Sequence, residues 1–299
     1  MSFTAPSSVL ITGAGGGLGR KLIDRLLASD WCRRIVAVDL VPPTDLAGDG
    51  RVEPVAGTLL DRSGAWWSAM ADVGAVVHFA AQNPHTDATW TDVVASFDMT
   101  HNVADAALAH GVSRLVFASS NHVMGGYKDA PLASGTPGFL TVDLPPAPGT
   151  KWDTGTGWMD STPYATAKLT GERVMAAAVA NSGGALSTVS VRIGWVQPGE
   201  NRPDTINISG DVVFEPSPEP EDEAGKRDLL WYRNMWFSNR DFAGLFEAAI
   251  RADPAGWPSP AIVVNGVSAN AGTGWDMEFT RQTLGFVPQD DLFAAIGKR

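Results

Sequence analysis

Apolar and polar positions alternate differently in the two halves of the chain. In the first half, short apolar runs alternate with longer stretches whose apolar residues recur at helical spacing. Residues 8–12 read as a strand, 18–28 as a helix and 34–40 as a second strand, and 52–60 contain a third. Residues 75–80 and 114–119 are continuous apolar runs, the pattern of strands covered on both faces. A long helix is predicted between them over 90–110, with Gly111 placed to end it. Strands alternating with helices imply parallel pairing and right-handed crossovers. The expected fold class is α/β, a Rossmann-type doubly wound parallel sheet.

The pattern then loosens. Residues 125–162 are rich in Gly, Pro and Thr with no sustained period, and read as a lid-like insertion. A helix over 163–181 and a strand over 186–193 follow. Residues 199–226 are Pro-rich and acidic, and the 211–226 stretch reads equally well as a solvated insertion. A helix over 239–252, a last strand over 261–267 and two short helices close the chain. The whole of 1–299 is expected to form one unit. Residues 1–193 make the nucleotide-binding core, and 194–299 a small C-terminal substrate lobe whose late strand returns to the core.

Composition narrows the function classes. With 44% apolar and 18% charged residues the chain is expected to fold compactly. A net charge of −11 repels polyphosphate backbones, so no nucleic-acid partner is expected. Cys32 is the single cysteine, which excludes an internal disulfide and any Cys-based zinc spacing, and no metal site is expected. No apolar run approaches the roughly 20 residues of a membrane helix. Residues 1–8 lack a basic segment followed by an apolar core, so a cytoplasmic location is expected.

The strongest local signal is the run from Thr12 to Gly19, TGAGGGLG, which follows a strand and opens a helix. Gly13 permits the tight turn, Gly16 lets backbone approach a pyrophosphate, and Gly19 lets helix pack on strand. The helix start at Gly17 and Leu18 supplies amide donors and a positive dipole end for phosphates. Asp39 ends the second strand, 20 residues after Gly19, where a carboxylate accepts hydrogen bonds from ribose hydroxyls. It repels a 2′-phosphate, so NAD is expected as cofactor rather than NADP; Arg20 or Arg33 are the residues that would reverse this. Alternatively Asp39 only caps a turn. Asp61 is placed either to meet the adenine edge or as a surface carboxylate.

The second signal is YATAK at 164–168. Tyr164 and Lys168 stand at i and i+4 on one helix face, so an ammonium beside the phenol is expected to lower its pKa. Tyr164 then takes a hydroxyl proton while hydride leaves the same carbon. Lys168 also holds the nicotinamide ribose. Ser120 follows the fifth strand, at the carboxyl edge where open α/β sheets bind ligands. Its hydroxyl orients the substrate oxygen, whereas Ser119 is expected to bond backbone. His78, alone in an apolar run, reads as a buried structural residue.

Together TGAGGGLG, Asp39, HFAA at 78–81, SSNHVMG at 119–125 and YATAK resemble the extended short-chain dehydrogenase/reductase family, from about residue 9 to 241. The resemblance implies the Ser120/Tyr164/Lys168 triad, counts Ala80 among the cofactor-binding residues, and implies a homodimer. SSNHVMG and Arg192-Ile193-Gly194 are more similar to uronate dehydrogenases than to nucleotide-sugar epimerases. In those enzymes, which oxidise the anomeric carbon of a hexuronate, Asn and His lie near sugar hydroxyls, roles that fall on Asn121 and His122. An arginine after the RIG run holds the carboxylate, and Arg202 is the nearest match. The chain departs in three places. Trp195 stands where a small serine is usual, Ser96 where a structural Asn is usual, and the Ser120–Tyr164 separation is much longer. Trp195 and the lid therefore imply a reshaped substrate pocket. Trp152, Trp158, Trp231 and Trp236 join Trp195 as core residues or as a platform for a sugar face. Asn239 and Arg240 read as a helix cap and surface ion pair, or as substrate contacts.

The leading expectation is NAD-dependent oxidation of a free sugar or sugar acid. An epimerase or dehydratase with tightly held NAD is the alternative, and Asn121 directly after Ser120 argues against a dehydratase. A dinucleotide-sensing regulator is the third reading; such proteins commonly lose the Tyr or Lys that this chain retains.

Overall fold

The computed structural model describes residues 3–83, 85–129, 136–154 and 157–297. Within them the chain runs β1 (Ser8–Thr12), α1 (Gly17–Leu27), β2 (Arg34–Asp39), β3 (Val52–Ala56), α2 (Ala65–Ala69), β4 (Ala75–His78), α3 (Trp90–Ala109) and β5 (Arg114–Ser120). It continues through β6 (Lys151–Asp153), β7 (Trp158–Asp160), α4 (Thr162–Asn181), β8 (Ser187–Ile193), α5 (Glu223–Asn234), α6 (Asn239–Arg251), β9 (Ala261–Gly266), α7 (Glu278–Leu284) and α8 (Leu292–Ala295).

Seven of the described strands form a parallel sheet in the order β3-β2-β1-β4-β5-β8-β9. Both faces are covered, because alternate side chains point to opposite sides. Ile11, Ile35, Val77 and Val116 pack against Leu22 and Ile23 of α1 and Phe246 of α6. Leu10, Val36, Val76 and Leu115 pack against Val103 of α3 and Met175 of α4. The strand order reverses between β1 and β4, and at such a switch point the carboxyl ends of the strands leave a crevice for a ligand. The late strand does return to the sheet, with β9 pairing β8 from Thr188↔Ala261 to Ile193↔Gly266.

Two expectations change. The 125–162 insertion is not structureless: Lys151–Asp153 and Trp158–Asp160 pair as a small antiparallel ribbon. Strands of three residues are too short to show a period. The acidic segment ends earlier than its composition suggests, because α5 begins at Glu223. Asp222 caps that helix by accepting from the Gly225 N–H at 2.8 Å. Its Leu229, Trp231 and Tyr232 bury themselves with Trp152, Trp236 and Trp275 in a third apolar cluster outside the main sheet. No helix among the described residues is long and apolar enough to cross a membrane.

His78 is fully buried in β4. Its Nδ1 lies 2.7 Å from Thr12 Oγ1 and its Nε2 3.1 Å from Thr100 Oγ1. Burial pushes it down to about 3, so it stays neutral and ties β1 to α3. One turn before Thr100, Ser96 Oγ accepts from the Gln82 N–H at 3.0 Å and so fixes the backbone just after β4.

Candidate active site

A single cavity of about 710 Å³ runs across the carboxyl ends of the strands. At one end lie Gly13, Gly16, Gly17, Leu18 and Asp39, and at the other Ser120, Asn121, His122 and Tyr164. Gly13 has φ 72°, and a Cβ there would sit 2.9 Å from the Ala80 nitrogen. Gly19 does not face the cavity; a Cβ on it would lie 2.3 Å from the Gly13 carbonyl oxygen, so only glycine lets α1 close on the turn. Asp39 Oδ2 accepts from the Gly15 N–H at 2.9 Å and Oδ1 from the Val41 N–H at 3.2 Å, which fixes the carboxylate over the turn.

This set fits a dinucleotide: the space that glycine leaves open at Gly17, an α-helix N-terminus, and a carboxylate at the end of β2. Arg20 is turned to Asp45 in a two-pronged ion pair with both distances 2.8 Å. Asp61 is not brought to the cavity. Its Oδ1 accepts from the Ser63 N–H and hydroxyl, and Thr58 and Leu59 line the wall instead.

β5 delivers Ser120 and the first turn of α4 delivers Tyr164. Both are buried and line the same cavity, and Ser120 Oγ accepts from the His122 N–H at 3.2 Å. Lys168, one turn further along α4, is also buried; its Nζ donates to the Ala118 carbonyl at 2.8 Å and lies 5.7 Å from the Tyr164 ring centre. The electrostatics differ from the expectation that the ammonium lowers the phenol. Burial dominates and raises Tyr164, while the Ser120 hydroxyl pulls it partway back. Burial also pushes the Lys168 ammonium down to about 8 from its ordinary 10.5.

The Lys168 shift has a measurable consequence. Between pH 8 and 10.5 the unfolded chain holds a proton on Lys168 that the folded chain has released, so stability rises with pH across that window. Lys168→Met removes that rise. Denaturant midpoints at pH 7.5 and 10 are expected to show the parent gaining on the variant; parallel pH dependences would contradict the burial of this ammonium.

Asn121 Nδ2 donates to the Ile193 carbonyl at 3.0 Å. His122 Nδ1 lies 2.8 Å from Thr150 Oγ1 and 2.9 Å from Ser161 Oγ. Burial pushes this imidazole down to about 4, so it is neutral. Trp195 lines the cavity just after Gly194, whose missing Cβ would overlap the Met235 carbonyl oxygen. Ser119 corrects an expectation: its hydroxyl donates to Glu172 Oε1 at 2.7 Å rather than to backbone.

Arg202 is not brought to this cavity. It is half-exposed, paired to Asp204 through Nε at 3.1 Å and through Nη2, and it faces a separate surface groove with Asn239 and Arg240. Asn239 donates to the Gly199 carbonyl and Arg240 pairs with Asp290, so both serve local structure. Of the tryptophans, Trp152 and Trp195 reach the cavity and Trp231 and Trp236 are core, while Trp158 is exposed. Thr150, Ser161, Met159 and Tyr232 escaped sequence reading, because they lie in the aperiodic insertion or on α5 and carry no local motif.

A family model described as the NAD dependent epimerase/dehydratase family matches residues 9–204. The chain belongs to this family. The chain is of the extended short-chain dehydrogenase/reductase type. The chain is 30% identical over 291 residues to the L-arabinose 1-dehydrogenase (NAD(P)(+)) of Haloferax volcanii, covering 95% of this chain and 96% of that one. It is 27% identical over 276 residues to the uronate dehydrogenase of Pseudomonas putida, covering 85% and 92%. Among solved structures, the uronate dehydrogenase of Agrobacterium tumefaciens superposes with a TM-score of 0.65 at 28% identity, covering 96% and 86%.

Proposed function

We propose that this chain oxidises a hydroxyl of a free sugar or sugar acid, the anomeric one, with NAD as hydride acceptor. The observation that carries this reading is Tyr164 and Ser120, both buried, lining the one cavity that also holds the glycine turn and Asp39. Similarity to a pentose dehydrogenase and to uronate dehydrogenases supports it.

When bound, NAD accepts the hydride from the carbinol carbon. Ser120 accepts or donates at the substrate oxygen and aims it at the phenol. Tyr164 carries off the hydroxyl proton as the carbon–oxygen bond becomes double, so a cyclic hemiacetal yields a lactone. Lys168 stands behind the ring, where its ammonium offsets negative charge developing on the phenol oxygen. Asp39, already held by two backbone amides, selects a ribose with a free 2′-hydroxyl.

The test is absorbance of NADH with a panel of aldoses, uronates and polyols. NADH is expected from at least one sugar class, and NADP is expected to serve poorly. Absence of NADH throughout, with conversion of a nucleotide sugar by protein that purifies with NAD, would move the assignment to an epimerase.

A further inference from the structure

Beyond the Tyr164 phenol the cavity is walled by aromatic rings. His122 stands edge-on to Tyr164 at 5.7 Å and tilts against Trp152 at 6.1 Å. Trp152 meets Tyr232 edge-on at 6.1 Å, and Tyr232 meets Trp195 at 5.6 Å. Trp152 Nε1 donates to the Ser209 carbonyl at 3.1 Å, which draws the 209–212 loop over this wall, and Asp211 of that loop lines the cavity.

Among the described residues no lysine or arginine lines this end. Among the described lining residues Lys21 is the one lysine or arginine, and it belongs to α1, where its ammonium donates to the Gly199 carbonyl at 2.5 Å. Four cations on neighbouring elements already have carboxylate partners. Lys128 is paired with Asp228 at 2.7 Å, Arg192 with Glu172 at 2.8 Å, Arg233 with Glu219 at 2.6 Å, and Arg202 with Asp204. Lys168 is buried beneath Tyr164 and bonded to Ala118.

A carboxylate set against this wall would lose water without gaining a counter-ion, and would share the cavity with the negative charge of Asp211. A neutral sugar faces no such cost. Its C–H face packs on indole and phenol rings, and its hydroxyls meet Ser120 and His122.

We propose that the substrate is a neutral aldose, held by its C–H face on the Trp152–Tyr232–Trp195 wall, rather than a uronate or sugar phosphate. This rests on the dehydrogenase reading above and narrows it to one substrate class.

The experiment compares pairs that differ in a single group: D-glucose with D-glucuronate, and D-galactose with D-galacturonate, each with NAD. The neutral member of each pair is expected to have the higher kcat/KM by at least about tenfold, the ratio that 1.4 kcal/mol of unfavourable charge burial produces. Equal or greater efficiency with the acids would overturn the proposal while leaving the dehydrogenase intact. No NADH from these pairs or from the wider panel of aldoses, uronates and polyols would instead sink the dehydrogenase reading, and this inference with it. Asp211→Lys places a cation on the loop and is expected to shift the ratio several-fold toward the acids. An unchanged ratio in a folded variant would remove the electrostatic basis of the proposal.

Discussion

Tyr164→Phe is expected to lower kcat by about 10²–10⁴-fold, the usual contribution of a positioned general acid–base group. The variant keeps the ring, which packs edge-on against His122, and loses only the hydroxyl. Folding and NAD binding should therefore survive, because the glycine turn and Asp39 lie at the other end of the cavity. Stopped or steady-state NADH formation measures the chemical loss, and a thermal shift on adding NAD measures what remains. A variant that retains activity within about tenfold would leave the reaction without its proton acceptor. The raised phenol bears on the pH dependence too. Because burial raises Tyr164 while lowering Lys168 to about 8, activity of the parent is expected to rise toward mildly alkaline pH and to fall again as the Lys168 ammonium is lost.

The fold was legible because its signals are local and repeated. The central strands β4 and β5 are buried along their whole length, as the continuous apolar runs at 75–80 and 114–119 required. The glycine turn was legible for a related reason. Gly13 and Gly19 sit where a Cβ would strike backbone, so their identity is dictated by geometry that any sequence with this turn must obey. The triad spacing was legible because four residues along a helix put Tyr164 and Lys168 on one face.

The substrate end was not legible in the same way. Arg202 stood at a plausible separation from the RIG run, yet Asp204 two residues on captures its guanidinium, a competition that sequence separation alone does not reveal. Trp152 and Tyr232 come together from a three-residue strand and a separate helix, joined only by the fold. Ser119 showed a strand-end hydroxyl, and its partner Glu172 lies 53 residues away on α4.

Glu172 carries the largest expected effect on stability. It sits one turn beyond Lys168 on α4, and with Arg192 on β8 it forms an ion pair whose side chains are each only 3% exposed. Arg192 Nε and Nη2 donate to the two carboxylate oxygens at 2.8 and 2.9 Å, and the Ser119 hydroxyl donates to Oε1 as well. The pair therefore clamps α4, β5 and β8 together directly behind Ser120 and Tyr164. Glu172→Gln leaves the guanidinium buried without a counter-ion and turns an amide N–H₂ toward it. Removing one partner of such a pair costs about 3–5 kcal/mol. Urea midpoints of the parent and variant measure this, and a loss below about 1 kcal/mol would mean the pair is not desolvated as its burial implies. Replacing both residues, with Glu172→Leu and Arg192→Met, should recover much of the stability, since no charge is then left unpaired. Activity separates the two roles of the clamp. If it only stabilises, the double variant regains kcat along with its urea midpoint; if it also sets the position of Ser120, kcat stays low in a protein that is fully folded.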